Sequence, residues 1–254
     1  MIRVGVAGWA ISRALADEFP AAGSRLERYA RRLNAVEINS SFYRPHRRAT
    51  YARWADSVPE SFRFSVKAPR TLTHEQRLAD PTPLLDAFLE EIGGLGPKLG
   101  AVLVQLPPSL AFDAAVAGAF LDVLRARFSG FVALEPRHES WFRAEADALL
   151  VDHRVARVAA DPAVAPQGGE PGGWRGGAYL RLHGSPRMYY SPYGSARLEG
   201  VAARLRAQGG GETWCIFDNT ALGAATADAL ALRLRLATSS TRRRSVPAWR
   251  PSGV

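Results

Sequence analysis

The chain of 254 residues carries a single cysteine, Cys215. That excludes an intramolecular disulfide and any zinc site built on several thiolates. Lysine is almost missing too: only Lys67 and Lys98 are lysines among 33 basic residues, and the rest are arginines. So one-sided a ratio is what a GC-rich coding sequence gives, and it accounts for much of the arginine content without function. No run of about 18 apolar residues occurs, which argues against a membrane span. The opening MIRVGVAGWA is too short and too soon interrupted by glycine for a signal peptide. A cytoplasmic location is the expectation. Absent as well are the G-x-G-x-x-G turn, the Walker loop and the H-E-x-x-H helix, each of which would have named a chemistry.

What is present is ordinary for a globular protein: 47% hydrophobic and 22% charged residues. The length suits one large domain that buries its own core. The net charge is +9, but Arg242, Arg243, Arg244 and Arg250 in the last 18 residues contribute four of those charges with no acid beside them. Residues 237–254 therefore read as a basic, disordered tail, and residues 1–236 as a mildly basic domain.

Eight short apolar runs recur along that domain, at 2–7, 35–39, 62–67, 101–106, 131–135, 155–160, 178–183 and 213–217. Each has the length and the β-branched or aromatic content of a buried strand. Helical patterns separate most of them, over 24–33, 50–55, 83–92, 114–128, 144–151, 196–207 and 224–236; the stretch 162–177 is rich in Gly and Pro and reads as a loop. Strands alternating with helices imply a parallel sheet. Eight such units in this length predict an α/β fold, a single (β/α)8 TIM-like barrel with outer helices. An open doubly wound sheet is the alternative.

In such a barrel the active site lies at the C-terminal ends of the strands. Those ends carry Trp9, Glu37 and Asn39, Lys67, Gln105, Glu135 with Arg137 and His138, Asp161, Arg181 with His183, and Asp218 with Asn219. Glu37 and Asn39 share one face of their strand, as do Glu135 and Arg137, and Arg181 and His183; the apolar neighbours take the other face. Charges on the inner face are costly unless paired or solvated, so their convergence suits a polar ligand. Glu37, Glu135 and His183 are the candidates for acid/base catalysis, with Glu135 and His138 a possible pair by spacing. Lys67, Arg70 and His74 lie within eight residues and suit an anion. Tyr43 and Tyr189 sit in the loops after the second and seventh runs and suit ring stacking or hydrogen bonding. Two carboxylates at one mouth are also compatible with glycoside hydrolysis. Glu37, Glu135, Asp161, His183 and Asp218 have the ligand types of a carboxylate/histidine metal site, but no local spacing supports one, and no cofactor is named by the residues.

The segments GVAGW (5–9), VEINSSFYR (36–44), FSVKAPRTLTH (64–74), LVQLPPSL (103–110), ALEPRHESW (133–141), YLRLHG (179–184) and FDNT (217–220) together resemble the YecE-like family, domain of unknown function number 72. The resemblance implies a TIM-barrel fold and carries no reaction with it. The expected function is an enzyme, of hydrolase or isomerase type, acting on a small polar or anionic substrate such as a sugar, phosphate or nucleotide-derived compound. The alternatives are a nucleic-acid or nucleotide-binding protein, less favoured, and a ligand-binding scaffold without catalysis.

Overall fold

The computed structural model describes residues 1–209 and 211–243. Among these residues there are ten strands: β1 (Ile2–Val6), β2 (Ala35–Ile38), β3 (Arg63–Lys67), β4 (Leu99–Gln105), β5 (Phe131–Glu135), β6 (Val155–Arg157), β7 (Ala159–Asp161), β8 (Gly172–Gly173), β9 (Ala178–Leu182) and β10 (Thr213–Phe217). Seven α-helices lie between or after them: α1 (Arg25–Ala30), α2 (Arg48–Asp56), α3 (Thr82–Ile92), α4 (Ala114–Arg127), α5 (Ala144–Asp152), α6 (Ser195–Ala207) and α7 (Ala224–Arg243). α7 runs seven residues beyond position 236; the rest of the basic tail, 244–254, lies outside the described residues. No helix among the described residues is long and apolar enough to cross a membrane.

The fold is α/β with two sheets. One has the order β1-β10-β9-β7 and is parallel throughout; the other has the order β2-β3-β4-β5-β6-β8 and is parallel except for β8. This departs from eight uniform strands in two places. The sixth run, read as one strand, changes partner at Val158: β6 pairs with β5, and β7 pairs with β9. The Gly/Pro-rich connection contains the short antiparallel strand β8. Glycine is required at Gly173, where φ is +60 and a Cβ would meet the Val155 carbonyl oxygen at 2.5 Å.

The sheets meet at two seams without a continuous ladder. Between β1 and β2 there is one isolated parallel bridge, Ala7 with Glu37. The Gly8 amide donates to the Glu37 carbonyl at 2.8 Å. Tyr29 of α1 reinforces this seam: its buried hydroxyl accepts from the Val6 amide at 2.9 Å and donates to the Ala35 carbonyl at 3.0 Å. Gly5 lets the backbones approach, since a Cβ there would overlap the Ala35 carbonyl. At the second seam the Val158 amide donates to the Leu134 carbonyl at 2.9 Å.

Local sequence explains the helices that hold these strands. Ser24 and Glu27 form a reciprocal capping box on α1, and Asp113 caps α4 through the amides of Ala115 and Val116. The helices bury Leu85, Phe88, Phe120 and Leu124 in a large apolar cluster against the sheets. A second, smaller cluster, including Ala35, Leu103, Ala133, Tyr179 and Trp214, draws on alternate strand positions. Tyr179 and Trp214 stack there, with centroids 5.9 Å apart.

Candidate functional site

Above the smaller cluster, the next residues on the same strand faces are charged. Arg181 of β9 is fully buried, with 0% of its surface exposed. It makes a two-pronged contact with Glu37, Nε to Oε2 at 3.0 Å and Nη2 to Oε1 at 2.7 Å. Its Nη1 donates to Glu135 Oε2 at 2.7 Å, and Nη2 also reaches Asp218 Oδ2 at 3.0 Å. One guanidinium thus binds carboxylates from β2, from β5 and from the end of β10. Such forked, charge-assisted bonds are the strong ones, and they are what makes burying three carboxylates tolerable. Glu37 gains a further donor from the Tyr179 hydroxyl at 2.9 Å, which lies 2.8 Å from Ser65 Oγ.

His183 forms a second node. Its Nδ1 lies 3.1 Å from Asp218 Oδ2, and its Nε2 lies 2.8 Å from Glu135 Oε1 and 3.0 Å from Arg137 Nη2. Arg137 Nη2 also contacts Glu135 Oε1 at 2.8 Å. Burial alone would push the Glu135 and Asp218 carboxyls up. Arg181, with His183 and, for Glu135, Arg137, outweighs it, so both lie below the usual range, Glu135 well below. Burial likewise opposes the charge on Arg181, and the three carboxylates override it and raise its pKa further.

Lys67, at the end of β3, differs from these. Among the described residues its Nζ has no hydrogen-bond or ion-pair partner; it lies over the Phe42 ring, 4.1 Å from the centroid. Burial and the like charge of Arg181 bring its pKa down to about 8, against the opposing pull of Glu37, Glu135 and Asp218. His74 packs edge-on to the same Phe42 ring at 4.9 Å and is also shifted down, by burial and by the charges of Lys67 and Arg70. Tyr43 packs on Phe42 at 5.0 Å but is largely exposed.

The structure therefore joins Glu37, Glu135, Arg137, Arg181, His183 and Asp218 in one network, with Lys67 at its edge. Other expected site residues take no part in its side-chain hydrogen bonding among the described residues. His138 caps the turn Glu139–Phe142 by accepting from the Ser140 amide, so the partner of Glu135 is His183, not His138. Arg70 faces Glu75 at 3.3 Å on the surface. Asn219 donates to Ser191 O and Asp228 Oδ2, tying the loop after β9 to α7. That loop brings Tyr189 edge-on to His183 at 5.8 Å. Gln105 is in register with Glu135. Trp9 packs on Trp54 at 5.1 Å and, with Asn39, lines a shallow pocket of about 270 Å³. Asn39 Oδ1 and Arg137 Nε are buried without a partner among the described residues.

Of the five ligand-type residues considered for a metal, Asp161 stands outside the network, paired with Arg197 at 2.7 Å. The Arg181 guanidinium fills the space between Glu37, Glu135 and Asp218. Among the described residues no group of His, Cys, Asp and Glu is set to hold a metal ion. The sequence reading missed Tyr179, Ser65 and Phe42. Tyr179 and Ser65 precede Arg181 and Lys67 by two positions and so share their strand faces, a signal that was available.

A family model described as "Protein of unknown function DUF72" matches residues 3–251. The chain belongs to the DUF72 family. The match extends past Thr220, where the recognisable segments end, into the basic tail. Among DUF72 relatives, the UPF0759 protein YecE of Escherichia coli is 32% identical over 118 residues, 46% of this chain and 43% of that protein. The UPF0759 protein YunF of Bacillus subtilis is 31% identical over 150 residues, 56% of this chain and 52% of that protein. The chain thus spans about half the length of the curated relatives it matches. Crystal structures of DUF72 proteins superpose along most of the chain. One from Thermotoga maritima has a TM-score of 0.76 at 24% identity, covering 93% of this chain and 99% of that one. One from Enterococcus faecalis has a TM-score of 0.76 at 22% identity, covering 93% and 96%. These similarities show a shared DUF72 fold.

Proposed function

We propose that this protein is an enzyme that binds a small anionic substrate at the C-terminal strand ends and moves protons there. The reading takes the two sheets as one (β/α)8-type barrel. Supporting that are the Ala7–Glu37 bridge, the unbroken run of chain from β6 into β7, and the inner apolar cluster below the charges. The observation that carries the functional reading is Lys67. It is a nearly buried ammonium with a lowered pKa and, among the described residues, no oxygen partner, beside a network whose other ionised groups are paired. Arg137 Nε and Asn39 Oδ1 add an unmet donor and an unmet acceptor at the same end of the strands.

In this scheme Arg181, Glu37 and Tyr179 form the rigid floor. Lys67 and Arg137 receive the anionic group. Lys67, with its pKa brought down to about 8, is the group that exchanges a proton near neutral pH, and His183 is held between Glu135 and Asp218. Glu135 and Asp218 stay ionised and orient His183, so neither is the protonated acid that glycoside hydrolysis needs.

Sulfate tests the reading, because its charge is constant across the relevant pH range. Sulfate is expected to raise the melting temperature of the protein at pH 7, and less so above pH 8, where Lys67 loses its proton. The Lys67→Met variant should bind sulfate about tenfold more weakly, a change of about 1.4 kcal/mol. An unchanged sulfate response in that folded variant refutes the assignment.

A further inference from the structure

Both lysines of the chain occupy special surroundings, and they differ. Lys98 closes the end of α2: its Nζ donates to the carbonyls of Ala55 and Val58, each at 2.8 Å, and faces Glu60 at 3.8 Å. Lys67 has the Phe42 ring on one side and, among the described residues, no acceptor. The chain uses arginine wherever else it needs a fixed positive charge. Arginine would serve an anion at position 67 as well or better, since its fork matches carboxylate and phosphate. What an amine adds is a lone pair that can be freed near neutral pH; a guanidinium does not provide one.

We infer that Lys67 is the covalent group of the site, condensing through Nζ with the carbonyl carbon of a small anionic aldehyde or ketone. This inference rests on the anion-binding reading given above. The step balances without an added oxidant or reductant. The free amine attacks the carbonyl carbon, a C–N bond forms, and the oxygen takes up protons and leaves as water. The net change is ammonium plus carbonyl to iminium plus water. The surroundings favour it on each side. Burial and repulsion from Arg181 favour the free amine before attack, against the cation–π attraction of the Phe42 ring for the ammonium. The attraction of Glu37, Glu135 and Asp218, which already acts on the Lys67 cation, would act equally on the iminium. Arg137, whose Nε is buried without a partner among the described residues, is the group left to hold the anionic end of the substrate.

The test uses the full-length protein and needs no variant. It is incubated at pH 8 with sodium cyanoborohydride and either glyoxylate or glyceraldehyde 3-phosphate. Modified peptides are then located by mass spectrometry. Lys98 and the terminal amine of Met1 are internal references. The expected result is reductive trapping at Lys67 at least tenfold faster than at Lys98, slowed by sulfate. Whichever probe reacts faster distinguishes a carboxylate from a phosphate handle. Trapping at Lys67 no faster than at Lys98, in protein that sulfate still stabilises, overturns the covalent role and leaves the anion site standing. Absence of both trapping and sulfate stabilisation overturns the two together.

Discussion

Replacing Arg181 by methionine is the sharpest perturbation this network offers. The side chain is fully buried and makes four contacts of 2.7–3.0 Å with three carboxylates. Methionine fills a similar length without charge. Removing one partner of a buried ion pair leaves an uncompensated charge and costs about 3–5 kcal/mol. Three carboxylates share this counter-charge, so the upper part of that range applies at pH 7. For a chain of this size a loss of about 4–5 kcal/mol corresponds to a fall of about 8–20 °C in melting temperature. The deficit also depends on pH in a fixed direction. In the native protein Glu135 lies well below its ordinary 4.5, so its stabilisation is present above pH 4.5 and fades as the pH falls through the lowered value. In the variant, burial is no longer opposed by Arg181, so the carboxyls titrate higher and take up protons while the protein is still folded. The gap between the two proteins must therefore shrink as the pH falls from 7 towards 4.5. Adding Glu37→Gln to the variant should recover about 1 kcal/mol or more, by removing one orphaned charge. Melting curves across this pH range are the assay. A Tm within about 2 °C of the native value at pH 7, or a deficit that does not change with pH, refutes the reasoning.

Two further substitutions probe other parts of the frame. Tyr179→Phe removes the hydroxyl between Glu37 and Ser65, and should cost about 2 kcal/mol in urea unfolding while Arg181 keeps Glu37 paired. Gly5→Ala forces a Cβ against the Ala35 carbonyl and should cost about 1–3 kcal/mol. Its local signature is faster hydrogen exchange at the Gly8 amide, which bonds to Glu37 across the same seam.

Much of the frame was visible in the sequence because burial on both faces of a parallel sheet leaves a plain apolar run. The runs at 131–135 and 213–217 coincide with β5 and β10. The helices α3, α4 and α6 were visible from apolar spacing within one residue at each end. β8 was hidden because Gly172 and Gly173 have no side chains to show a pattern; they pair with Arg157 and Ala156 through the backbone alone. The split at Val158 was hidden because a change of hydrogen-bond partner leaves no mark on hydrophobicity. At the site, alternation identified which charges share a face, and Glu37, Glu135, Arg181, His183 and Asp218 do meet. It did not identify the pairs. Glu135 lies three residues from His138 and 48 from His183, and it bonds to the distant one. Proximity in sequence says little about partners among residues supplied by different strands.

The place of β1 has a consequence for how the chain is made. Its ladder partner is β10, with Ile2 opposite Thr213, while the next strand in sequence, β2, meets it through a single bridge. β1 thus pairs with a strand encoded 211 residues later. At about 5–20 residues per second, roughly 10–40 s pass before that partner exists. During that interval an apolar segment with unpaired amides and carbonyls is exposed. Nascent-chain care is therefore needed at β1 long after that segment has emerged.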